Sequence, residues 1–305
     1  MGLDHTAYQF LTYCVRTSRL GQTLTLARQW NYCGWKDPVS SEAPRYCEPV
    51  LTTDFGATSV SSVDASDYES PTYVHDLNQP LGGALLGTSF DSVLDFGTLE
   101  HVFDVPAALR SITRLCRTGG QIIHVQVAND YCGHGFWQFS PELFFSLYQP
   151  KNGFEYPEVF LADQKDSKHW VRCQKPRNGQ RLEFSGRNVP RSYVLVRTRK
   201  LNDVPALTVQ QSDYEYLWER NACGNNRTAA TTSPKSTSAA QDRLAVRSWP
   251  EALRRRSRAL AAKIRRGIIG QAWYQHQLLE RIPVSRLLEP SAGPKSAEKI
   301  QTAQR

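Results

Sequence analysis

The stretch FDSVLDFGTLEHVFDVPAALRSITRLCRTGGQIIHV, residues 90–125, restricts the fold of this chain more than any other feature. SVLDFG is a short apolar run that ends in Asp95 and Gly97, as a buried parallel strand does where it meets a ligand crevice. Asp104 stands where it can cap a helix whose first turn holds Pro106. Ala107, Ala108, Ile112 and Leu115 then keep helical spacing on one face. Gly119-Gly120 is expected to close that helix, and QIIHVQVA begins a second extended run.

Strand and helix patterns alternate along the flanking sequence. A helix is expected over 5–19, a strand over 23–28, and a short helix ending at Gly56. Strands are expected over 59–66 and 72–78, and Ser140 is placed to cap a helix that runs toward Gly153. YPEVFLAD and RSYVLVRTRK supply two last strands around a polar stretch from 163 to 190. Such alternation predicts a doubly wound, mostly parallel sheet.

The pieces FDSVLD, LEHVFD, AALRSITRL and GG, in this order and at this spacing, resemble the class I S-adenosylmethionine-dependent methyltransferases, in particular the small-molecule type 11 kind. The resemblance runs through residues 20–200. It implies a Rossmann-like α/β domain with a seven-stranded, mostly parallel sheet and an antiparallel last strand. It further implies an enzyme that uses S-adenosylmethionine to methylate a small-molecule acceptor.

The resemblance also distributes site residues. Asp64, or Asp67 close by, would accept the ribose hydroxyls after the second strand. Asp76 and Leu77, with Asn78, would meet the adenine, and Asp95, Phe96 and Gly97 would face the sulfonium end. The family's glycine-rich loop after the first strand is missing: the chain reads Leu26-Ala27-Arg28-Gln29-Trp30 and reaches its next glycine at Gly34. A Cβ at Ala27 matters where backbone must pass against a ligand. Either Arg28 or Gln29 clamps the methionine carboxylate in a different loop, or the fold has become a catalytically inactive binding scaffold. Candidate bases are His101 in LEHV and His134 in NDYCGHGFWQ, residues 129–138, whose polar and aromatic mixture suits a small-molecule acceptor. Cys132 reads as a packed thiol, and no spacing of His, Cys and Asp suggests a metal site.

Charge separates body from tail. Residues 235–305 hold fifteen Lys and Arg against five Asp and Glu, net +10, which leaves 1–234 at −2 in a chain of net +8. The body therefore has no electrostatic reason to bind nucleic acid specifically. The expected division is an N-terminal helix (1–20), a methyltransferase-like α/β domain (21–221), a disordered linker (222–247) and a basic helical or disordered tail (248–305). Leu253, Leu260, Ile264 and Ile268 share a face in that tail, which could contact a partner protein or, weakly, an anionic membrane. No apolar run approaches the ~18 residues of a membrane span, and MGLDHTAYQF lacks the layout of a signal peptide. Seven cysteines with no CxxC pair point to reduced thiols, so a cytoplasmic location is expected.

Overall fold

The computed structural model describes residues 2–182, 190–225 and 278–289. The chain opens with β1 (Gly2–Leu3) and helix α1 (His5–Cys14), capped by Asp4, which accepts from the Ala7 N–H at 2.8 Å. β2 (Gly21–Leu26) is followed by β3 (Trp30–Asn31), which pairs with β1, and by α2 (Glu48–Thr53). Next come β4 (Ala57–Asp64), β5 (Tyr73–Val74), β6 (Phe90–Phe96), α3 (Val105–Leu115) and β7 (Cys116–Asn129). Then follow α4 (Pro141–Leu147), β8 (Glu158–Asp163), β9 (His169–Cys173), β10 (Ser192–Arg199) and α5 (Ser212–Asn225). Finally β11 (Leu279–Pro283) runs into α6 (Val284–Leu288).

Among the described residues, nine strands make one sheet in the order β11-β9-β8-β10-β7-β6-β2-β4-β5. Neighbours from β5 to β7 are parallel, and β10 enters antiparallel between β7 and β8. The expected Rossmann-like α/β sheet with an antiparallel last strand is present, with two strands more than the seven predicted. β9 falls in the polar stretch 163–190, and β11 falls inside residues 248–305, read from sequence as tail. HWVRC and LERIP carry so much charge that each reads as loop. Their apolar residues nonetheless reach the core, with Trp170 and Ile282 directly paired and buried. The first residues of the expected linker, 222–225, belong to α5, whereas the remainder of the linker and the arginine-rich helix lie outside the described residues.

Side chains alternate between the faces of the sheet, and each face meets its own helices. Val93 and Ile122 join the cluster containing Ala108, Ile112 and Leu115 of α3 and Phe144 and Leu147 of α4. Leu94, Phe96, Ile123 and Val125 join the opposite cluster, with Phe10 and Leu11 of α1, Val50 of α2 and Leu287 of α6. This two-sided burial is the doubly wound arrangement, and residue parity along a strand decides which side a group faces.

Several boundaries differ from expectation. α1 ends at Cys14 and β2 at Leu26, and only Tyr73–Val74 of the run 72–78 pairs as strand. Asp104 caps α3 as expected, accepting from the Ala107 N–H at 3.0 Å, but α3 stops at Leu115, ahead of Gly119-Gly120. The glycines instead form an irregularity inside β7. Phe90 faces Cys116 and Ser92 faces Gln121, so the intervening residues bulge. A Cβ on Gly120 would lie 2.8 Å from the Asp91 carbonyl oxygen, which explains a glycine there. The six cysteines with described side chains are free thiols. Among the described residues no helix is long and apolar enough to cross a membrane.

Candidate active site

The carboxyl ends of β2 and β6 are tied together by one short turn. Gly97 has φ +79° and turns the chain out of β6 into a single helical turn, Leu99–His101. Thr98 fixes that turn: its N–H donates to Asp95 Oδ1 at 3.1 Å and its hydroxyl donates to the Leu26 carbonyl at 2.8 Å. Glu100 then points inward and is 1% exposed. Burial, reinforced by the nearby Asp95 charge, pushes its carboxyl up to about 8.

The loop after β7 docks onto the same turn. The Phe136 and Trp137 N–H groups both donate to the Glu100 carbonyl oxygen, at 2.7 and 3.3 Å. The Trp137 indole donates to the Val102 carbonyl at 3.0 Å, and the Tyr131 N–H donates to Gln138 Oε1 at 2.9 Å. Gly135 has φ +73°, and a Cβ there would stand 2.6 Å from the Glu100 carbonyl oxygen. These constraints bring His134 beside His101, with ring centroids 5.0 Å apart. Glu100 Oε1 lies 3.6 Å from His134 Nε2 and 3.9 Å from His101 Nε2. Burial, then repulsion from His134, lowers the His101 pKa, which favours the neutral, proton-accepting imidazole.

A cavity of about 320 Å³ opens next to this cluster. Phe96, Gly97 and Glu100 form one wall, Tyr131 and His134 another, and Asp4, Arg191 and Tyr193 close the side toward α1 and β10. The Tyr131 and Tyr193 rings stack at 5.6 Å, and the Arg191 guanidinium sits 4.1 Å from the centroid of the Tyr131 ring. Burial raises the Asp4 carboxyl pKa. Phe103 and Phe136, 70% and 67% exposed, contact each other on the two segments that carry the histidines.

Of the residues expected from sequence, Phe96, Gly97 and His134 line this cavity, and His101 adjoins it through Glu100 and His134. Ala27, Arg28, Asp64, Asp76 and Leu77 lie outside its walls. Ala27 is buried with φ +55°, so an alanine takes the left-handed turn that a glycine would take at lower cost. Arg28 is occupied elsewhere: it pairs with Glu48 at 2.7 Å, donates to the Glu69 carbonyl at 3.0 Å and covers the Tyr46 ring. Asp76 accepts from Asn78, closing its own turn, and Leu77 packs in the core.

Asp95 is the clear correction. It does not face the crevice. It shares the parity of Val93, points to the α3–α4 side, and is fully buried against His124. Nδ1 of His124 lies 2.8 Å from Asp95 Oδ2, and Nε2 lies 2.7 Å from the Tyr148 hydroxyl. With Nδ1 donating to the carboxylate, the hydroxyl donates to Nε2, and each buried group is satisfied. Burial holds the Tyr148 hydroxyl pKa well above its usual value. Tyr148→Phe should leave Nε2 unpaired and cost about 1–3 kcal/mol. Urea denaturation reads that loss, and ligand affinity in the crevice should not move.

S-adenosylmethionine suits the groups at the strand ends. The Asp64 carboxylate stands half-buried at the end of β4, where it could accept ribose hydroxyls. Gln29 is buried behind the Ala27 turn with Oε1 unpartnered, and Gly97 leaves room for close approach.

Residues 33–124 match a family model described as a methyltransferase domain. This segment is similar to that methyltransferase-domain family. The matched region starts beyond β2, where the family's glycine motif would stand, and ends at His124. Among solved structures, the N-methyltransferase NodS of Bradyrhizobium japonicum is 11% identical, with 64% of this chain and 94% of that one covered and a TM-score of 0.36. The 1,6-didemethyltoxoflavin N1-methyltransferase of Burkholderia thailandensis is 14% identical, with 65% and 79% covered and a TM-score of 0.33. TehB of Haemophilus influenzae is 11% identical, with 63% and 62% covered and a TM-score of 0.36. The comparison with curated proteins found no match.

Proposed function

We propose that the methyltransferase domain transfers a methyl group from S-adenosylmethionine to a small-molecule acceptor seated in the cavity between α1 and the loop 129–138. The observation that carries this reading is the shared cavity. Its walls combine Phe96 and Gly97, from the strand end next to which the donor's methionine part would lie, with Tyr131 and His134 from the loop after β7. When bound, the cofactor supplies an electrophilic methyl group on a sulfonium. The chain's contribution is alignment, plus acceptance of a proton where the acceptor must lose one. His134 is the cavity-lining base, and His101, whose pKa burial lowers, is its neighbour. Asp64 would hold the ribose hydroxyls. The Phe96, Tyr131 and Tyr193 rings in the cavity walls favour an apolar or planar acceptor. The basic residues of 235–305 would add weak, salt-dependent attraction to an anionic membrane or a partner protein.

Calorimetry of S-adenosylmethionine binding to the full chain tests the reading. Micromolar affinity, about −8 kcal/mol, is expected, and Asp64→Ala should weaken it at least tenfold. Absence of heat and of any thermal shift at millimolar ligand would leave the scaffold alternative.

A further inference from the structure

We propose that Glu100, His101 and His134 form a binding site for a divalent transition-metal ion of the zinc class, with an open coordination position toward the cavity. Three observations carry it. First, one ligand atom from each of the three side chains lies within 4.8 Å of the others. Second, the separations of 3.6 and 3.9 Å from Glu100 Oε1 to the two Nε2 atoms are too long for hydrogen bonds. They approach the edge of a coordination tetrahedron, about 3.4 Å for bonds of about 2.1 Å. Third, Glu100 is almost wholly buried, yet its Oε2 has no hydrogen-bond partner. A buried carboxylate oxygen left without a partner is costly, and a bound cation next to it would remove that cost.

The donor set narrows the ion. Two imidazoles and one carboxylate suit zinc, iron(II), cobalt or nickel, whereas magnesium and calcium prefer all-oxygen shells. Three protein ligands leave at least one position unfilled, the arrangement of a metal that meets a substrate. Glu100 and His134 both line the cavity, so the open position would accept an oxygen or nitrogen of a molecule lodged there. The two imidazoles are 39% and 48% exposed, which gives an ion a route in from solvent. The site itself stands without the methyl-transfer reading. Contact between the ion and an acceptor rests on that reading, and with an ion on both Nε2 atoms the ion would replace the imidazoles in the base role given to His134.

The test is titration of the chelator-stripped full chain with cobalt(II), followed by its visible ligand-field spectrum, and then displacement by zinc. One equivalent should bind with micromolar affinity or better, with an oxygen- and nitrogen-type spectrum. His134→Asn and Glu100→Gln should each weaken binding at least tenfold, while the thermal midpoint confirms that each variant folds. Cys132→Ser and His169→Ala should leave it unchanged. Equal affinity in all variants, a thiolate charge-transfer band lost in Cys132→Ser, or no binding at millimolar cobalt would each overturn the proposal. Cobalt binding as expected, without any S-adenosylmethionine binding, would keep the metal site and remove the methyl-transfer reading.

Discussion

Gly135→Ala should destabilise the protein and disable the cavity, while Gly133→Ala, two residues away in the same Cys-Gly-His-Gly run, should do neither. At Gly135 the backbone has φ +73°, where a Cβ costs about 1–2 kcal/mol. That Cβ would also stand 2.6 Å from the Glu100 carbonyl oxygen, the acceptor of two loop N–H groups. The substitution therefore forces the loop away from the 99–101 turn, and about 2–4 kcal/mol of stability should go with it. His134 rides on this loop. A displacement of about 1 Å costs on the order of a hundredfold in turnover where alignment matters. Gly133 has open space around its virtual Cβ, so its alanine variant should stay within about 0.5 kcal/mol of the parent. Paired thermal melts and S-adenosylmethionine-dependent turnover measure both effects. Equal behaviour of the two variants would mean that the loop is not seated as described.

Ile282→Ala should cost about 2–4 kcal/mol, the loss of a buried aliphatic side chain. Ile282 is 5% exposed, pairs with Trp170 across β11 and β9, and belongs to the cluster that includes Phe10 and Phe160. In a solvated tail the same change would stay within about 0.5 kcal/mol. Chemical denaturation of the full chain separates the two outcomes. The cost cannot exceed the free energy that holds β11 and α6 in place, so a smaller value would measure that docking directly.

The fold was legible where local rules agree with packing. In residues 90–125 the apolar run, the Asp104 cap and the helical spacing act in one direction, and β6, α3 and β7 follow. Gly119-Gly120 was misread because a helix stop and a strand bulge ask for the same residue. Asp95 was misplaced because strand-end position says that a carboxylate is near the crevice, but not which face it points to. Its parity with Val93 was a readable signal for the α3–α4 side. Ala27 hid the first turn, since the left-handed conformation there is imposed by the surroundings rather than by residue type. Glu100 was overlooked beside His101, although both stand in LEHV. Its meeting with His134 depends on a loop docking by backbone hydrogen bonds, which residue spacing does not encode. β9 and β11 escape a sequence reading because short strands interrupted by charged residues look like loop until their partners are known.

The pairing of β11 with β9 has a consequence for how the chain is made. Leu279 faces Cys173, so the edge of β9 waits for residues synthesised long after it has left the ribosome. During that interval the nascent domain presents an unpaired strand edge and a bare apolar strip around Trp170, both invitations to intermolecular pairing. So late a closing contact also raises the mean sequence separation of native contacts, which slows the last stage of folding. Newly made chains should therefore aggregate most readily, and lean most on chaperones, between the appearance of β9 and the arrival of β11.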